Sequence, residues 1–287
     1  MKTMNDSAKT PVLPRGYFLD LPGRGRTFIR EVEGPPGAPV LMLLHGWTAT
    51  ADLNWFTCFD ALSEHFRIIA PDLRGHGRGI RHKRLFRLED CADDVAAIAN
   101  VLGIHTFIPV GYSMGGIIAQ LMWHRHQTRV RGLVLCSTAG YFSSSREERL
   151  SFLGLSGLMA LARVTPSQAT DWLTDQIYLQ RKSDGFDPWA LEQMASHDWR
   201  HILAAGRAIG GFNSRQWLGD IDVPTSVIVT TQDTVVPPER QRRLYRQLQN
   251  VQVYEIEADH NAVYLARDQF VPILLEACSS VYARSLT

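Results

Sequence analysis

Apolar runs that alternate with helical spacing constrain the fold of this 287-residue chain more than any other feature. The run at 40–44 reads VLMLL, and similar runs follow at 66–70, 107–110, 132–136, 226–230 and 251–256. Uninterrupted apolar strands are typical of a sheet that helices cover on both faces. Helical spacing occurs at 54–65, 88–102, 114–126, 239–248 and 261–284. Because these segments separate most of the runs, the pattern predicts an α/β fold with a doubly wound, mostly parallel sheet.

The ends and the one interruption of this pattern define the predicted domains. Near the start of the chain, a Pro-Gly turn at 21–23 separates two short strand patterns, which brings the expected sheet to eight strands. Between residues 141 and 215 no strand pattern occurs. We therefore predict that residues 1–140 and 216–287 form the core and that residues 141–215 form an inserted helical cap.

The composition favours a small-molecule partner over a charged polymer. Thirty Lys and Arg residues oppose 29 Asp and Glu residues, so a net charge of +1 provides no global field for nucleic acid or an anionic membrane. The sequence contains no phosphate-binding glycine motif, no spacing of metal ligands and no aromatic-basic stripe. We expect no cofactor, no metal and no nucleic-acid partner.

The cysteines and the N-terminal residues favour a cytoplasmic protein. Four cysteines lie far apart and are expected to be free, buried thiols; they are Cys58, Cys91, Cys136 and Cys278. Residues 1–15 lack the apolar core of a signal peptide, and no run approaches the roughly 18 apolar residues of a spanning helix. We therefore expect no stable membrane insertion.

A G-x-S-x-G motif at 111–115 provides the candidate nucleophile. It reads GYSMG, directly after one predicted strand and directly before a predicted helix, the context in which this motif forms a strained turn. Gly111 and Gly115 remove side chains that would collide in so tight a turn. Ser113 is the expected nucleophile. In the preceding strand, Pro109 lacks an N–H donor and predicts a kink or an early end.

The candidate base and acid follow from positions at the ends of predicted strands. A serine hydroxyl must lose its proton to a base, which is usually an imidazole that a carboxylate orients. His260 follows the last strand run and Asp233 follows the run at 226–230, so both should lie at the same sheet edge as Ser113. Asp259 adjoins His260, but consecutive side chains usually diverge, so Asp233 is the preferred acid.

Two backbone N–H groups are candidates for an oxyanion hole. The negative charge that develops on a substrate oxygen needs preorganised donors, and the N–H of Met114, directly after the nucleophile, is one of them. The second is expected in the loop after the strand at 40–44. There His45 and Gly46 form a supporting turn that lets the N–H of Trp47 approach the substrate.

Together these segments resemble the α/β-hydrolase superfamily. The resemblance is carried by five segments: His45-Gly46-Trp47, PDLRGHG at 71–77, GYSMGG at 111–116, the loop of Asp233, and His260. The order Ser, Asp, His also matches the order in this family. The resemblance implies a hydrolase sheet with residues 141–215 as the cap that covers the active site. Thr231 and Ala258-Asp259 depart from it, since glycines often occur there.

The identity of the nucleophile separates branches of this superfamily. Haloalkane dehalogenases and epoxide hydrolases attack with an aspartate, so Ser113 favours acyl chemistry through an acyl-enzyme. Carboxylic esters, thioesters and lactones are the expected substrates, and C–C bonds of dienoic diketo acids are open to the same side chains. An acyltransferase or a cofactor-free perhydrolase would use the same three residues. A ligand-sensing protein on this fold would retain them with very slow turnover.

Two segments bear on the substrate. The predicted cap contains apolar and aromatic residues, most of which are expected to pack it onto the core while the rest favour a hydrophobic acyl or aromatic group. They are Phe152, Leu153, Leu155, Leu158, Met159, Leu161, Trp172, Trp189 and Trp199. Six cations form a basic run for which we expect a solvated loop rather than an anion site. They are Arg74, Arg78, Arg81, Lys83, Arg84 and Arg87.

Overall fold

One sheet organises the part of the chain that the structure describes. The computed structural model describes residues 11–81, 85–143, 148, 154 and 188–287. The strands are β1 Gly16–Leu21, β2 Gly25–Val32, β3 Val40–Leu44, β4 Arg67–Pro71, β5 Ile108–Tyr112, β6 Leu133–Cys136, β7 Thr225–Thr230 and β8 Val251–Ile256. They lie in the order β1-β2-β4-β3-β5-β6-β7-β8, which places β3, β5 and β6 in the middle.

The sheet is parallel except at one edge. The pairings from β4 through β3, β5, β6 and β7 to β8 are all parallel. β1 pairs with β2, and β2 pairs with β4, in the antiparallel sense. The predicted fold class is therefore confirmed, and the N-terminal hairpin forms the antiparallel edge of a mixed, eight-stranded sheet.

Helices cover both faces of this sheet. Those within the described residues are α1 Ala51–Trp55, α2 Phe59–Ser63, α3 Leu88–Val101, α4 Met114–His126, α5 Pro188–Ala195, α6 Trp199–Gly211, α7 Pro238–Tyr245, α8 Ala262–Leu265 and α9 Arg267–Arg284. α3 and α4 contribute Val95 and Ile117 to the apolar cluster on one face. α2 and α9 contribute Leu62 and Phe270 to the cluster on the other face. This two-sided burial explains why the central strands are continuously apolar.

Two helices that the spacing predicts as continuous are broken. The predicted helix at 54–65 is divided into α1 and α2 by a turn at 56–58, and the one at 261–284 is divided into α8 and α9. Ala266, with φ −117° and ψ 34°, lies between α8 and α9, and its non-helical backbone redirects the chain. Apolar spacing continues across both breaks, so periodicity alone does not reveal them.

Pro109 does not end its strand. β5 continues to Tyr112, but Phe107 pairs with Val130 whereas Val110 pairs with Val134. The register between β5 and β6 therefore shifts by one residue across the proline. Proline has no backbone N–H to donate to a neighbouring strand. Because the register shifts at this residue, the missing donor falls where the hydrogen bonding between the two strands is already interrupted.

The described part of the predicted insertion consists of its two ends. Tyr141 and Asn213 form an isolated bridge, which brings the start and the end of the segment together, and α5 and α6 precede Asn213. Residues 144–147, 149–153 and 155–187 lie outside the described residues. Most of the apolar segment and Trp172 fall within these ranges.

The four cysteines are free and buried, as the sequence predicts. Among the residues that the structure describes, no helix is both long and apolar enough to cross a membrane.

Candidate active site

Ser113 lies at a strained turn between β5 and α4. Its φ of 53° and ψ of −113° are unusual for a residue with a side chain. A Cβ added at Gly111 would lie 2.2 Å from Gly115 O, and one added at Gly115 would lie 1.9 Å from Leu44 O. Both positions therefore require glycine, and the tight backbone contact holds Ser113 at the carboxyl end of β5.

A hydrogen-bonded chain joins Ser113 to His260 and Asp233. His260 Nε2 lies 3.0 Å from Ser113 Oγ, and His260 Nδ1 lies 2.7 Å from Asp233 Oδ2. Because an ionised carboxylate only accepts hydrogen bonds, Nδ1 carries the proton and Nε2 can accept the serine proton. The structure thus brings together the three side chains that the sequence singles out, from the ends of β5, β7 and β8.

Five donors surround the carboxylate of Asp233, whose side chain is fully buried. The backbone N–H groups of Val235 and Val236 donate to Oδ1 over 2.9 and 2.8 Å. Thr230 Oγ1 donates to Oδ2 over 2.8 Å and Gln241 Nε2 donates to it over 3.2 Å, beside the imidazole. Hydrogen bonds from several groups stabilise a buried negative charge.

Asp259, the alternative acid, makes a different contact. It is exposed, and its Oδ1 accepts the Asn261 N–H over 2.8 Å. The ring of His260 hydrogen-bonds to Asp233 instead. The geometry therefore supports Asp233 over its rival.

Sequence reasoning missed the side chains that hold this arrangement in place. Tyr112 donates its hydroxyl proton to His260 O over 2.9 Å, and Thr138 Oγ1 donates to Ser113 O over 2.8 Å. The two side chains that share Asp233 Oδ2 with the imidazole were missed as well. None of them belongs to a fixed spacing, since their contacts arise from proximity in the folded chain.

The loop after β3 approaches Ser113 closely. A Cβ added at Gly46 would lie 3.5 Å from Ser113 Cβ, and the Gly46 N–H donates to Asn54 Oδ1 over 2.9 Å. Among the described residues, no protein acceptor is bonded to the backbone N–H of Trp47 or of Met114. Both groups remain available to a ligand oxygen.

His45 supports this loop from within the core. Its Nε2 accepts the Leu73 N–H over 2.8 Å, so its Nδ1 carries the proton and donates to Gly46 O over 2.8 Å. Burial lowers the pKa of His45 to about 4, and the ring is neutral at pH 7. Both backbone partners are satisfied, which fixes the peptide that precedes Trp47.

The described end of the predicted insertion contacts the same loop. Trp47 Nε1 donates to Ile202 O in α6 over 2.9 Å, and Thr50 Oγ1 donates to Gln193 Oε1 in α5 over 3.0 Å. α5 and α6 therefore lie beside the candidate oxyanion donor.

Ion pairs occupy part of the basic run. Arg74 is buried and pairs with Asp94 through N–O distances of 2.8 and 2.7 Å. Arg78 pairs with Asp72 over 3.0 Å and with Asp52 over 2.8 Å. The expectation of a solvated loop is wrong for these two arginines, because acids outside the basic run neutralise them. Two members of the run lie outside the described residues: Lys83 and Arg84.

Three buried histidines join the 71–77 turn to the predicted insertion. Ring centroids lie 5.3 Å apart for His45 and His76, and 5.5 Å apart for His76 and His197. His197 Nδ1 accepts the Gly77 N–H over 2.9 Å. Burial lowers the pKa of His197 to about 4, and burial with the two neighbouring imidazoles lowers the pKa of His76 well below its usual value. The cluster is therefore uncharged at pH 7.

We expect this histidine cluster to make the fold sensitive to acid. In the unfolded chain a histidine binds a proton near pH 6.5, whereas His45 and His197 resist protonation in the folded protein until about pH 4. The free energy of unfolding that these two histidines contribute is therefore fully present above pH 6.5. It is lost as the pH falls toward 4, by on the order of 3 kcal/mol for each histidine. Urea denaturation between pH 7.5 and pH 4 measures this loss.

A matched pair of variants tests the origin of the acid sensitivity. His197→Asn keeps an acceptor for the Gly77 N–H but cannot be protonated, so it should reduce the loss of unfolding free energy between pH 7.5 and pH 4 by the share of one histidine, on the order of 3 kcal/mol. His105→Asn, at an exposed position, should leave that dependence unchanged. A His197→Asn protein as acid-sensitive as its parent would refute the assignment.

Comparisons with known proteins find likenesses to α/β hydrolases. The family model of the α/β-hydrolase fold matches residues 39–178. The AB hydrolase superfamily protein YisY of Bacillus subtilis (strain 168) is 24% identical over 275 residues, which are 92% of this chain and 100% of the relative. The 3-oxoadipate enol-lactonase 1 of Acinetobacter baylyi is 24% identical over 255 residues, which are 87% of this chain and 92% of that protein.

A solved structure extends the likeness to the fold. The enol-lactonase from Burkholderia xenovorans LB400 superposes with a TM-score of 0.76 at 23% sequence identity, over 92% of this chain and 100% of that chain. The chain belongs to the α/β-hydrolase superfamily, as its motifs predict, and is an α/β-hydrolase enzyme.

Proposed function

We propose that the protein is a serine hydrolase that cleaves carboxylic esters or related acyl compounds, such as thioesters and lactones, through an acyl-enzyme. The observation that carries this proposal is the hydrogen-bonded chain from Ser113 through His260 to Asp233, with distances of 3.0 and 2.7 Å. A serine that is bonded to an imidazole, which a buried carboxylate orients in turn, is the arrangement that nucleophilic acyl transfer requires.

In the proposed mechanism, His260 Nε2 takes the hydroxyl proton of Ser113 while Oγ attacks the substrate carbonyl carbon. The resulting oxyanion accepts hydrogen bonds from the backbone N–H groups of Trp47 and Met114. Asp233 stabilises the imidazolium, which then donates its proton to the leaving alcohol. A water molecule that His260 deprotonates attacks the acyl-enzyme, and the reverse proton transfer releases the acid and restores Ser113.

Residues 141–215 are proposed to form the cap over this site. The hydrogen bond from the Trp47 indole to Ile202 O supports this placement, since it ties α6 to the loop of the candidate oxyanion donor. Trp189 in α5 packs edge-on against Phe56, with ring centroids 5.1 Å apart. This aromatic contact between α5 and the core supports a hydrophobic acyl or aryl substrate, and the enol-lactonase among the relatives supports lactones as one class.

Partitioning of a common intermediate tests this proposal. Phenyl and p-nitrophenyl esters of one acyl group should form the same acyl-enzyme, so added methanol should capture the same fraction of acyl groups from both. A captured fraction that changes with the leaving group would contradict the acyl-enzyme. Failure to turn over any ester, thioester or lactone in a panel of acyl chain lengths would contradict the proposed function.

Competition between acceptors separates hydrolysis from the reactions that would use the same side chains. Preferred transfer to an alcohol or amine in the presence of water would identify an acyltransferase, and preferred transfer to hydrogen peroxide would identify a perhydrolase. Turnover confined to dienoic diketo acids would identify a C–C bond hydrolase. Tight binding of one ligand with a rate near background would identify a sensor. We expect water to be the preferred acceptor.

A further inference from the structure

Thr230 and Gln241 contact the candidate acid, yet no step of the proposed mechanism uses them. We propose that these two side chains are positioning residues that set how strongly Asp233 Oδ2 holds the His260 imidazolium. This inference rests on the proposed serine hydrolysis and concerns the same site.

Backbone groups fix the orientation of the Gln241 amide. Its Oε1 accepts the Thr230 N–H over 3.1 Å, and its Nε2 donates to Val236 O over 2.7 Å. Because a backbone N–H only donates and a carbonyl only accepts, the amide cannot be flipped so that its oxygen and nitrogen change places. The second hydrogen on Nε2 is therefore directed to Thr230 Oγ1 at 3.0 Å and to Asp233 Oδ2 at 3.2 Å.

The hydroxyl of Thr230 links the Gln241 amide to the carboxylate of Asp233 through two hydrogen bonds. Its Oγ1 accepts from Gln241 Nε2 and lies 2.8 Å from Asp233 Oδ2, which is closer than its 3.2 Å distance to Ser137 Oγ. Both side chains belong to residues with no exposed surface, so bulk water has no access to replace either donor. A donor that is itself a hydrogen-bond acceptor is polarised and binds more strongly.

The two donors converge on the oxygen that accepts the His260 Nδ1–H. Each hydrogen bond to Oδ2 withdraws negative charge that would otherwise stabilise the imidazolium. With the hydroxyl present, the carboxylate stays in place but holds the protonated ring less tightly. Without it, the carboxylate should hold the protonated ring more tightly.

The pH dependence of kcat/KM tests this role. Thr230→Val keeps the shape of the side chain and removes the hydroxyl. We expect the acid limb for a p-nitrophenyl ester to move upward by about half to one pH unit and the plateau to fall about 10-fold. Thr230→Ser should restore both. Thr231→Val removes a hydroxyl that bonds to Ile256 O instead, at 3.2 Å, and should leave the limb in place.

A second variant and a second readout make the outcome decisive. Gln241→Met removes the amide that polarises the hydroxyl and should shift the limb in the same direction. The pH dependence of fluorophosphonate reaction with Ser113 should shift equally, since it needs no turnover, and thermal denaturation confirms that each variant is folded. An unmoved acid limb in folded, active Thr230→Val and Gln241→Met proteins would overturn the inference. Absence of acyl turnover in the unmodified protein would overturn the proposed function instead.

Discussion

Ser113→Ala should lower kcat for ester hydrolysis by roughly 10⁴- to 10⁶-fold while the protein stays folded. The change removes the attacking oxygen and one hydrogen bond to His260. Alanine, like serine, has a Cβ, so it adopts the same strained backbone, with φ of 53°, at a similar cost. The free energy of unfolding should therefore change by about 1 kcal/mol or less. Steady-state kinetics with a p-nitrophenyl ester and urea denaturation measure the two effects.

Ser137 provides the matched control for this substitution. It is also a buried serine at a strand end with a positive φ, of 48°, but its Oγ lies 3.2 Å from Thr230 Oγ1 rather than against an imidazole. Ser137→Ala should lower kcat by no more than about 10-fold. Retention of more than about a hundredth of the activity by Ser113→Ala would mean that another group attacks the substrate.

Asp233→Asn should lower kcat by roughly 10³- to 10⁴-fold. Asparagine keeps the shape, and its oxygen can still accept the N–H groups of Val235 and Val236. The amide NH₂ then replaces Oδ2 and faces Nδ1 of His260. Because two donors cannot share a hydrogen bond, the ring adopts the other tautomer and presents Nε2–H to Ser113, which removes the base.

Asp259→Asn separates the two candidate acids. This substitution makes the same chemical change one residue before His260, at an exposed carboxylate that bonds to the Asn261 N–H. Activity should stay within about two-fold of the parent. A large loss in Asp259→Asn together with a small loss in Asp233→Asn would reverse the assignment of the acid.

Much of the fold can be predicted from the sequence because the central strands are buried on both faces. The runs that become β3 and β6 are continuously apolar for that reason, and α4 has the bounds that its spacing predicts. Local breaks in helices and shifts of strand register could not be predicted. Neither the break at Ala266 nor the register shift across Pro109 changes the apolar pattern, since both depend on how neighbouring elements meet.

The candidate site also contains residues that the sequence predicts and residues that it does not. Ser113, Asp233 and His260 were predictable because each follows a strand that ends at one edge of a parallel sheet. The groups that support them were not. Gln241 reaches Asp233 only once α7 packs beside β7, and no fixed spacing marks the contact of Thr230 with Asp233. Arg74 and Arg78 were misinterpreted for a related reason, since the acids that neutralise them come from distant parts of the chain.

Covalent labelling tests the central claim, that Ser113 is the nucleophile, most directly. A fluorophosphonate reacts with a serine whose proton a neighbouring base removes, and intact-protein mass spectrometry followed by peptide mapping locates the adduct. We predict one adduct for each chain, on Ser113, which is absent in Ser113→Ala, forms slowly in Asp233→Asn and persists in Ser137→Ala. An adduct on another residue, or undiminished labelling of Ser113→Ala, would contradict the account.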